Sequence, residues 1–461
     1  TGILGYQVTD GWLCAQRVRA EHPRLVSVIG GWFASSAPEV VLATGVFDAV
    51  CIGQGEITLR ELVRAVECGE PLESVAGLAL WRDGHVVRTE HRAVVGWDEL
   101  LDCPWHLLDI EPYRAAQLAG RAVREVERMV VPPGFERKPW FGISYYSSFG
   151  CPEPCTFCCS PEVSGLRWKA MPAARMLDDL QGLSERWGFD TLRFYDANFG
   201  VSEKRVAELC EGLIERGVRS WWYALMQSSS IARYKDCTLE ALRDAGMYVV
   251  QLGGETGDES TMKEIGKHTR VGQNLAAVER LARLGICSLV TYIIGYPGES
   301  EESMWATLAE ARALAASSPL VRATVWPYRP LPGTALWQPS LQHGYQPPTS
   351  MEAWGDAPEY HFRQVWPGQI PPRVLRARQV YEHFASLSLG LVRGRVGWWE
   401  RRAQRWMKSG RATSGRLEAK AFDLAQAVAR RMPLRRRKTD ELAIAPGHQT
   451  SVLSGRAATR S

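Results

Sequence analysis

Apolar and polar positions along this chain repeat with two periods, one of strands and one of helices. From Trp140 onward, short runs rich in β-branched and aromatic residues read as buried strands: Trp140–Tyr146, Thr191–Tyr195, Trp221–Met226, Met247–Leu252, Ile286–Ile294 and Val321–Val325. Between them, apolar residues recur at three-to-four spacing. Met176, Leu177, Leu180, Leu183 and Trp187 form such a stripe ahead of Gly188, and Val206, Leu209, Leu213 and Ile214 form another ahead of Gly217. Leu239 and Leu242 precede Gly246, and Leu275, Val278, Leu281 and Ala282 precede Gly285. Glycine just past an amphipathic stripe is a helix stop, because it adopts the left-handed backbone that closes the last turn. Strand, helix, glycine and strand in repeated order predict right-handed βα units around a parallel sheet. Six such units predict a partial (β/α)6 barrel, open on one side, and an α/β fold class.

The first hundred residues repeat the alternation on a smaller scale. Leu25–Ile29 reads as a strand running into Gly30-Gly31. Ala49–Ile52 reads as a second, running into Gly53-Gln54-Gly55-Glu56, with a helix over Ile57–Val66. Two strands that end in glycines before a helix predict a doubly wound, Rossmann-like sheet with a ligand at its carboxyl edge. Residues 2–20 are expected to add a strand and a helix. A free-standing sheet of this type has about five strands, so the domain is expected to be truncated, with one or two strands upstream of Thr1. The expected organisation is a Rossmann-like domain over 1–96, a connector over 97–139 punctuated by Pro104, Pro112 and Pro132-Pro133, and the barrel over 140–338. A helical module rich in tryptophan and arginine follows over 339–434, and a disordered basic tail over 435–461.

Composition narrows the function classes. The chain has 461 residues, 45% apolar and 23% charged, which fits a globular protein with more than one core. No run approaches the apolar length that spans a bilayer, and no signal-peptide pattern opens the chain. The net charge of +4 is small for this length, so no nucleic-acid partner is expected. Trp398-Trp399 beside Arg401-Arg402 reads as a helical core face, and membrane contact is not expected. Trp326, Tyr328, Trp337, Trp354 and Trp366 read as core positions before pocket positions.

The cysteines change the picture most. Of eleven, those at 151, 155, 158 and 159 cluster in Ser147-Ser148-Phe149-Gly150-Cys151-Pro152-Glu153-Pro154-Cys155-Thr156-Phe157-Cys158-Cys159. Scattered thiols with one cluster point to a metal or redox site in a reducing cytoplasm, against a disulfide framework. Thiolates spaced by four and three residues can each take one iron of a cubane from a short loop. The loop follows the first barrel strand directly, so it sits at the carboxyl mouth where barrel enzymes keep their chemistry. Three ligands leave one iron open. A structural zinc site is the alternative, and it would need a fourth ligand from Cys159 or a distant residue. Cys159, adjoining Cys158, reads as packing.

Cys-x-x-x-Cys-x-x-Cys with an aromatic residue before the third cysteine resembles the signature of the radical S-adenosylmethionine (SAM) superfamily. The resemblance implies a 4Fe–4S cluster on Cys151, Cys155 and Cys158, with SAM chelated at the open iron and Phe157 beside its adenine. Reductive cleavage of SAM would then give a 5′-deoxyadenosyl radical, with the protein orienting the cofactor and excluding water and oxygen. Tyr195-Asp196-Ala197-Asn198-Phe199, Gly253-Gly254-Glu255-Thr256-Gly257, Ile294-Gly295-Tyr296-Pro297-Gly298-Glu299 and Pro330-Leu331-Pro332-Gly333-Thr334 are similar to that family's successive strand ends. By that resemblance Asp196, Asn198, Gly253, Gly254, Glu255, Gly295 and Pro297 surround SAM. The amino-terminal half resembles the end of the cobalamin-binding domain that precedes many such barrels. This implies a cobalamin surface made by Gly30, Gly31, Trp32, Ser35, Gly53, Gly55 and Glu56. The implied function is a cobalamin-dependent radical SAM enzyme that methylates an unactivated carbon of a small molecule, reduced by a donor such as flavodoxin or ferredoxin. Cyclisation or rearrangement with or without cobalamin, methylthio transfer (for which Cys14 and Cys51 would supply a second cluster) and a non-catalytic iron–sulfur or cobalamin sensor are the alternatives.

Overall fold

The computed structural model describes residues 6–119, 140–357, 365–366, 368–388 and 398–409. Pro132-Pro133 and the basic stretch beyond residue 409 lie outside the described residues, as do the side chains of Trp398 and Trp399.

The described residues open with helix α1 (Tyr6–Glu21), the helix expected within 2–20, and residues 1–5 lie outside the described residues. Strand β1 (Val28–Gly30) leads into α2 (Trp32–Ser36) and α3 (Pro38–Leu42). Strand β2 (Ala49–Cys51) pairs parallel to β1 and is followed by α4 (Glu56–Cys68). Leu25 and Val26 are exposed, so the strand begins three residues later than the apolar run. To this wound pair the fold adds a hairpin, β3 (Leu78–Arg82) and β4 (His85–Arg88), giving the sheet order β1-β2-β3-β4. Asp83 and Gly84 both have positive φ, 48° and 81°, which is the two-residue turn that matches the right-handed twist of antiparallel strands.

Residues 97–119 do more than connect. Trp105 packs edge-on against Trp187, and helix α5 (Glu111–Leu118) lays the Arg114 guanidinium over the Phe141 ring at 4.2 Å. The Gln117 amide donates to Gly142 O (3.0 Å) and accepts from Gly142 N (2.9 Å), which satisfies a backbone edge that would otherwise be open.

The second unit is the expected barrel. Strand β5 (Gly142–Tyr145) enters a small ribbon, β6 (Ser148–Gly150) and β7 (Trp168–Ala170), with helix α6 (Ser160–Ser164) between them. There follow α7 (Ala173–Trp187), β8 (Thr191–Phe194), α8 (Glu203–Glu215), β9 (Trp221–Met226), α9 (Ser228–Arg233), α10 (Asp236–Asp244) and β10 (Met247–Glu255). The run ends with α11 (Glu259–Glu264), α12 (Gln273–Arg283), β11 (Cys287–Ile294), α13 (Glu301–Ser317) and β12 (Val321–Pro327). Strands β5, β8, β9, β10, β11 and β12 pair in that order, all parallel. Met176, Leu180, Val206, Leu209, Leu239, Leu242, Val278 and Leu281 are buried against the sheet, whereas Ile214 and Leu275 are exposed. Those two sit at the edge of their stripes, where the helix surface turns away from the strands.

The later helices α14 (Trp337–Gln342), α15 (Met351–Asp356), α16 (Pro372–Ser388) and α17 (Trp398–Lys408) are divided between the two units. Met351 and Trp354 belong to the core around Phe33, Val41 and Val50. Val374, Val380 and Tyr381 belong to the barrel core. On the β12 side, Tyr381 Oη lies 2.8 Å from Ala323 O, Val325 N donates to Glu382 Oε1 and Arg378 Nε donates to Val325 O. Side chains thus occupy the last edge of an unclosed barrel. Among the described residues no helix is long and apolar enough to cross a membrane.

Candidate active site

The cysteine loop is anchored before it begins. Asp196, at the end of β8, accepts hydrogen bonds from Ser147 N (2.7 Å), Ser147 Oγ (2.6 Å) and Ser148 Oγ (2.6 Å), all buried. Arg205 of α8 donates to Ser147 O and Ser147 Oγ through Nη2 and to Met171 O through Nε. Burial lowers the Arg205 pKa, against the opposing field of Asp196. Buried charges persist where they are paired and hydrogen-bonded. The carboxylate expected to flank SAM therefore spends three bonds on the root of the loop.

The β6–β7 ribbon clamps both ends of the loop, pairing Ser148 with Ala170 and Gly150 with Trp168. Gly150 has φ +78°, and any side chain there would strike the Arg167 carbonyl. Within the loop, Thr156 N donates to Ile265 O (2.9 Å), Leu336 N donates to Thr156 O (3.1 Å) and Cys158 N donates to Cys155 O (3.1 Å). Gly266 (φ +66°) lets residues 265–268 press on the loop, since a methyl at this position would come within 2.7 Å of Pro154 O. His268 Nδ1 lies 2.9 Å from Glu153 Oε2 in the same clasp.

Cys151 and Cys155 are buried and Cys158 is half-buried. Burial pushes the Cys151 thiol up and the Cys155 thiol up to about 12. A hydrogen bond between the neighbouring thiols pushes Cys158 up, with burial adding to it, and pulls Cys159 down. Among the described residues no three Cys, His, Asp or Glu side chains converge as they would on a single ion. Cys14 is exposed on α1 and Cys51 is buried in β2.

Beside these thiols lies an ion pair that sequence patterning did not reveal. Glu255 ends β10 with φ +60°, and its Oε1 is 3.0 Å from Lys267 Nζ; the two side chains are 9% and 7% exposed. Burial works against the Lys267 charge, but Glu255 and the nearby Cys155 and Glu153 hold its pKa above the ordinary value. A side chain at Gly253 would run into the Glu255 carboxylate and the Lys267 ammonium. One at Gly254 would meet Tyr292 and Val290 at 2.8 Å. The two glycines therefore let the strand bulge, and the register with β11 shifts between Gly253 and Glu255.

The other strand ends differ in what they offer. Asn198 Oδ1, Ser228 Oγ and Tyr296 Oη are buried with no hydrogen-bond partner. Buried polar atoms left unpaired at the ends of β8, β9 and β11 are the donor and acceptor set that a polar ligand would satisfy. Phe157 tilts against Tyr296 with centroids 5.8 Å apart. Gly295, one of the residues expected around SAM, is covered by Ile370 and Gln369. A methyl there would come within 2.6 Å of Ile370 Cγ1, and Gln369 Nε2 donates to Gly295 O and Tyr328 O. Pro297 is half-buried in the following turn.

In the amino-terminal sheet, Gly53 N donates to Ser35 Oγ (3.1 Å), joining the two strand ends. Gly31 (φ +102°) begins α2 and Gly53 has φ +75°. A methyl on Gly53 would sit 3.4 Å from Val163 O of α6, so this edge faces the helix that follows the cysteines. Gly55 packs on Cys51 Sγ, Gly30 lies beside Cys51 O, Trp32 is half-buried and Glu56 is exposed at the start of α4. Ser36 Oγ and Ser160 Oγ, one on each side of the seam, are buried without partners. A cleft of about 600 Å³ lined by Phe189, Leu213, Trp221 and Gly246 lies at the opposite, amino-terminal ends of the strands, away from this chemistry.

Residues 145–311 match the model of the radical SAM superfamily. The chain is 27% identical over 331 residues to an uncharacterised methyltransferase, PH0819, of Pyrococcus horikoshii, covering 71% of this chain and 66% of that one. Its fold resembles TsrM of Kitasatospora setae, a radical SAM methyltransferase solved with cobalamin and a 4Fe–4S cluster (TM-score 0.55, 19% identity, 72% of this chain and 60% of that one). It also resembles OxsB, a cobalamin-dependent SAM radical enzyme solved with aqua-cobalamin (TM-score 0.57, 16% identity, 89% and 62%). The chain spans about half to two thirds of the length of the curated relatives it matches. The three-cysteine loop at the mouth of the six-stranded parallel barrel thus lies within the stretch that matches the radical SAM superfamily, and the chain shares its fold with TsrM and OxsB.

Proposed function

We propose that the chain is a cobalamin-dependent radical SAM methyltransferase acting on an unactivated carbon of a small molecule. The observation that carries the reading is the seam at which the glycine-ended edge of the amino-terminal sheet, at Gly53, meets the helix that follows Cys158. Cys151, Cys155 and Cys158 would hold the cluster, and Glu255, Asn198, Tyr296 and Phe157 would surround SAM. Gly31, Trp32, Ser35, Gly53 and Glu56, with the unpaired hydroxyls of Ser36 and Ser160, would face cobalamin. When bound, the cluster supplies an electron to SAM and cobalamin serves as a methyl carrier. The protein's part is to keep the thiols dry, to hold Glu255 in place through Lys267 and to fix the loop through Asp196 and Arg205. Its eleven cysteines are all free, which suits a reducing cytoplasm and an electron donor such as flavodoxin or ferredoxin.

Reconstitution with iron, sulfide and hydroxocobalamin under anaerobic conditions tests the reading. Cobalt should stay with the protein through desalting and be lost in Gly53→Trp, with bound iron unchanged. Iron without cobalt in the wild type would overturn the cobalamin assignment. It would favour the second reading, a cyclisation or rearrangement enzyme whose amino-terminal unit is a scaffold. The use of Ser35 Oγ by Gly53 N, which ties the two strand ends to each other, supports that alternative.

A further inference from the structure

Lys267 does more than partner Glu255. Its side chain is 7% exposed, and the 3.0 Å contact with Glu255 Oε1 is the one hydrogen bond that Nζ makes among the described residues. An ammonium carries three donors, so two are unspent on a charge almost wholly withdrawn from water. Buried charges persist beside groups that offset the lost hydration. The unspent donors therefore mark a place where further negative charge belongs.

The backbone brings this group to the cysteine loop. Ile265 O accepts from Thr156 N (2.9 Å), and a methyl on Gly266 would come within 2.7 Å of Pro154 O. Cys155 sits in the chain between those two contacts, and Lys267 follows directly after them. Gly253 of β10 closes the other side, since a side chain there would meet Nζ at 3.0 Å. The field of the ammonium reaches the thiols. It opposes the burial that raises Cys151 and Cys155, and at Cys155 it outweighs the contrary push of Glu255. The pair is thus polarised, with its positive end toward these two thiols. Burial works against the Lys267 charge, but the surrounding anions keep it protonated, so it acts as a fixed charge.

We infer that Lys267 sets the reduction potential of the cluster, its buried ammonium favouring the reduced form, which carries one more negative charge than the oxidised form. This deepens the proposed function and rests on its assignment of the cluster to Cys151, Cys155 and Cys158. One electron comes from a low-potential donor, no bond to the protein forms or breaks, and Lys267 keeps its proton in both states.

The test reads the potential, not turnover. Protein reconstituted anaerobically with iron and sulfide is poised against a series of redox dyes, and the reduced fraction is read by EPR without SAM. At the wild-type midpoint the ratio of reduced to oxidised cluster should fall about tenfold in Lys267→Met, a shift of about 59 mV for one electron, and stay within about twofold in Lys267→Arg. Glu255→Gln, which leaves the ammonium uncompensated, should move the ratio in the opposite direction. Because Lys267→Met strands a carboxylate, the double variant Lys267→Met with Glu255→Gln is also compared with Glu255→Gln alone, and the same fall is expected. Full iron with an unmoved ratio in the variants that lose the lysine would overturn the inference. So would a fall in Lys267→Arg as large as in Lys267→Met, which would make the role one of shape and not of charge. Iron and the reduced signal of the wild type read the cluster assignment separately. If they are absent, that assignment fails and the inference with it; if they are present and the ratio stays, the inference alone fails.

Discussion

Glu255 and Lys267 show how much of this site is set by single residues. A carboxylate held at φ +60° with its ammonium partner buried beside it is stable only as a pair. Lys267→Met leaves a buried, uncompensated carboxylate and is expected to cost about 3–5 kcal/mol, read as a lower urea midpoint of the apoprotein. Glu255→Gln strands the buried Lys267 ammonium in the same way and is expected to cost a similar amount. Cys159→Ala should keep wild-type iron while Cys158→Ala loses it. The thiols also fix a pH dependence. Because burial raises Cys151 and Cys155, the latter to about 12, the folded apoprotein keeps those protons. That stabilisation is fully present below the unfolded thiol value of about 8.5 and is lost as pH rises through the folded values. Iron must displace the same protons, so cluster assembly should improve steadily from about pH 6.5 to 8.5, measured as iron bound per chain. The three cysteines proposed as ligands stood out because they crowd one short loop at a spacing that suits a cluster. Lys267 was not, since its role appears only when residues 265–268 fold back on the loop. Asp196 was legible as a strand-end carboxylate. Its partners Ser147 and Ser148 lie 49 and 48 residues upstream, so its anchoring task was hidden.

At the scale of elements, the turn from β11 into α13 is held by Glu299, which accepts from Gly295 N, Tyr296 N and Ser303 Oγ. Burial outweighs these bonds and raises its pKa to about 7. A carboxyl group raised in the folded state stabilises it below the unfolded value of about 4.3, and this contribution is lost as pH rises through the folded one. Melting temperature should therefore fall more steeply between about pH 4.5 and 7.5 in the wild type than in Glu299→Gln, by the equivalent of roughly 2 kcal/mol. Parallel curves would contradict this. The βα rhythm was readable because each strand and stripe is long enough to show its period. The β6–β7 ribbon was not, with three residues per strand separated by the cysteine loop. The β3–β4 hairpin carried its signal in Asp83-Gly84, but the parallel alternation before it drew the reading elsewhere.

Across the whole molecule, late segments tie the two units together. Trp354 of α15 is 2% exposed and meets Phe33 of α2 at 5.2 Å and Trp337 of α14 at 6.3 Å. Trp354→Ala is expected to cost about 3–5 kcal/mol, and limited proteolysis should then open the amino-terminal unit before the barrel. Tyr328, Trp354 and Trp366 are core, as their isolation in the sequence predicted. The sharing of α15 and α16 between units was not legible, because their partners, Phe33 for Trp354 and Ala323 for Tyr381, lie beyond any local pattern. The account turns on one structure, a cluster on three cysteines with its fourth iron open to SAM. The most direct test is to reconstitute the protein anaerobically, count iron and sulfide, and record the reduced EPR spectrum with and without SAM. About four irons per chain and a spectrum shifted by SAM, both lost in Cys155→Ala, are the predicted result. Zinc in place of iron, or a four-iron cluster whose spectrum ignores SAM, would contradict it.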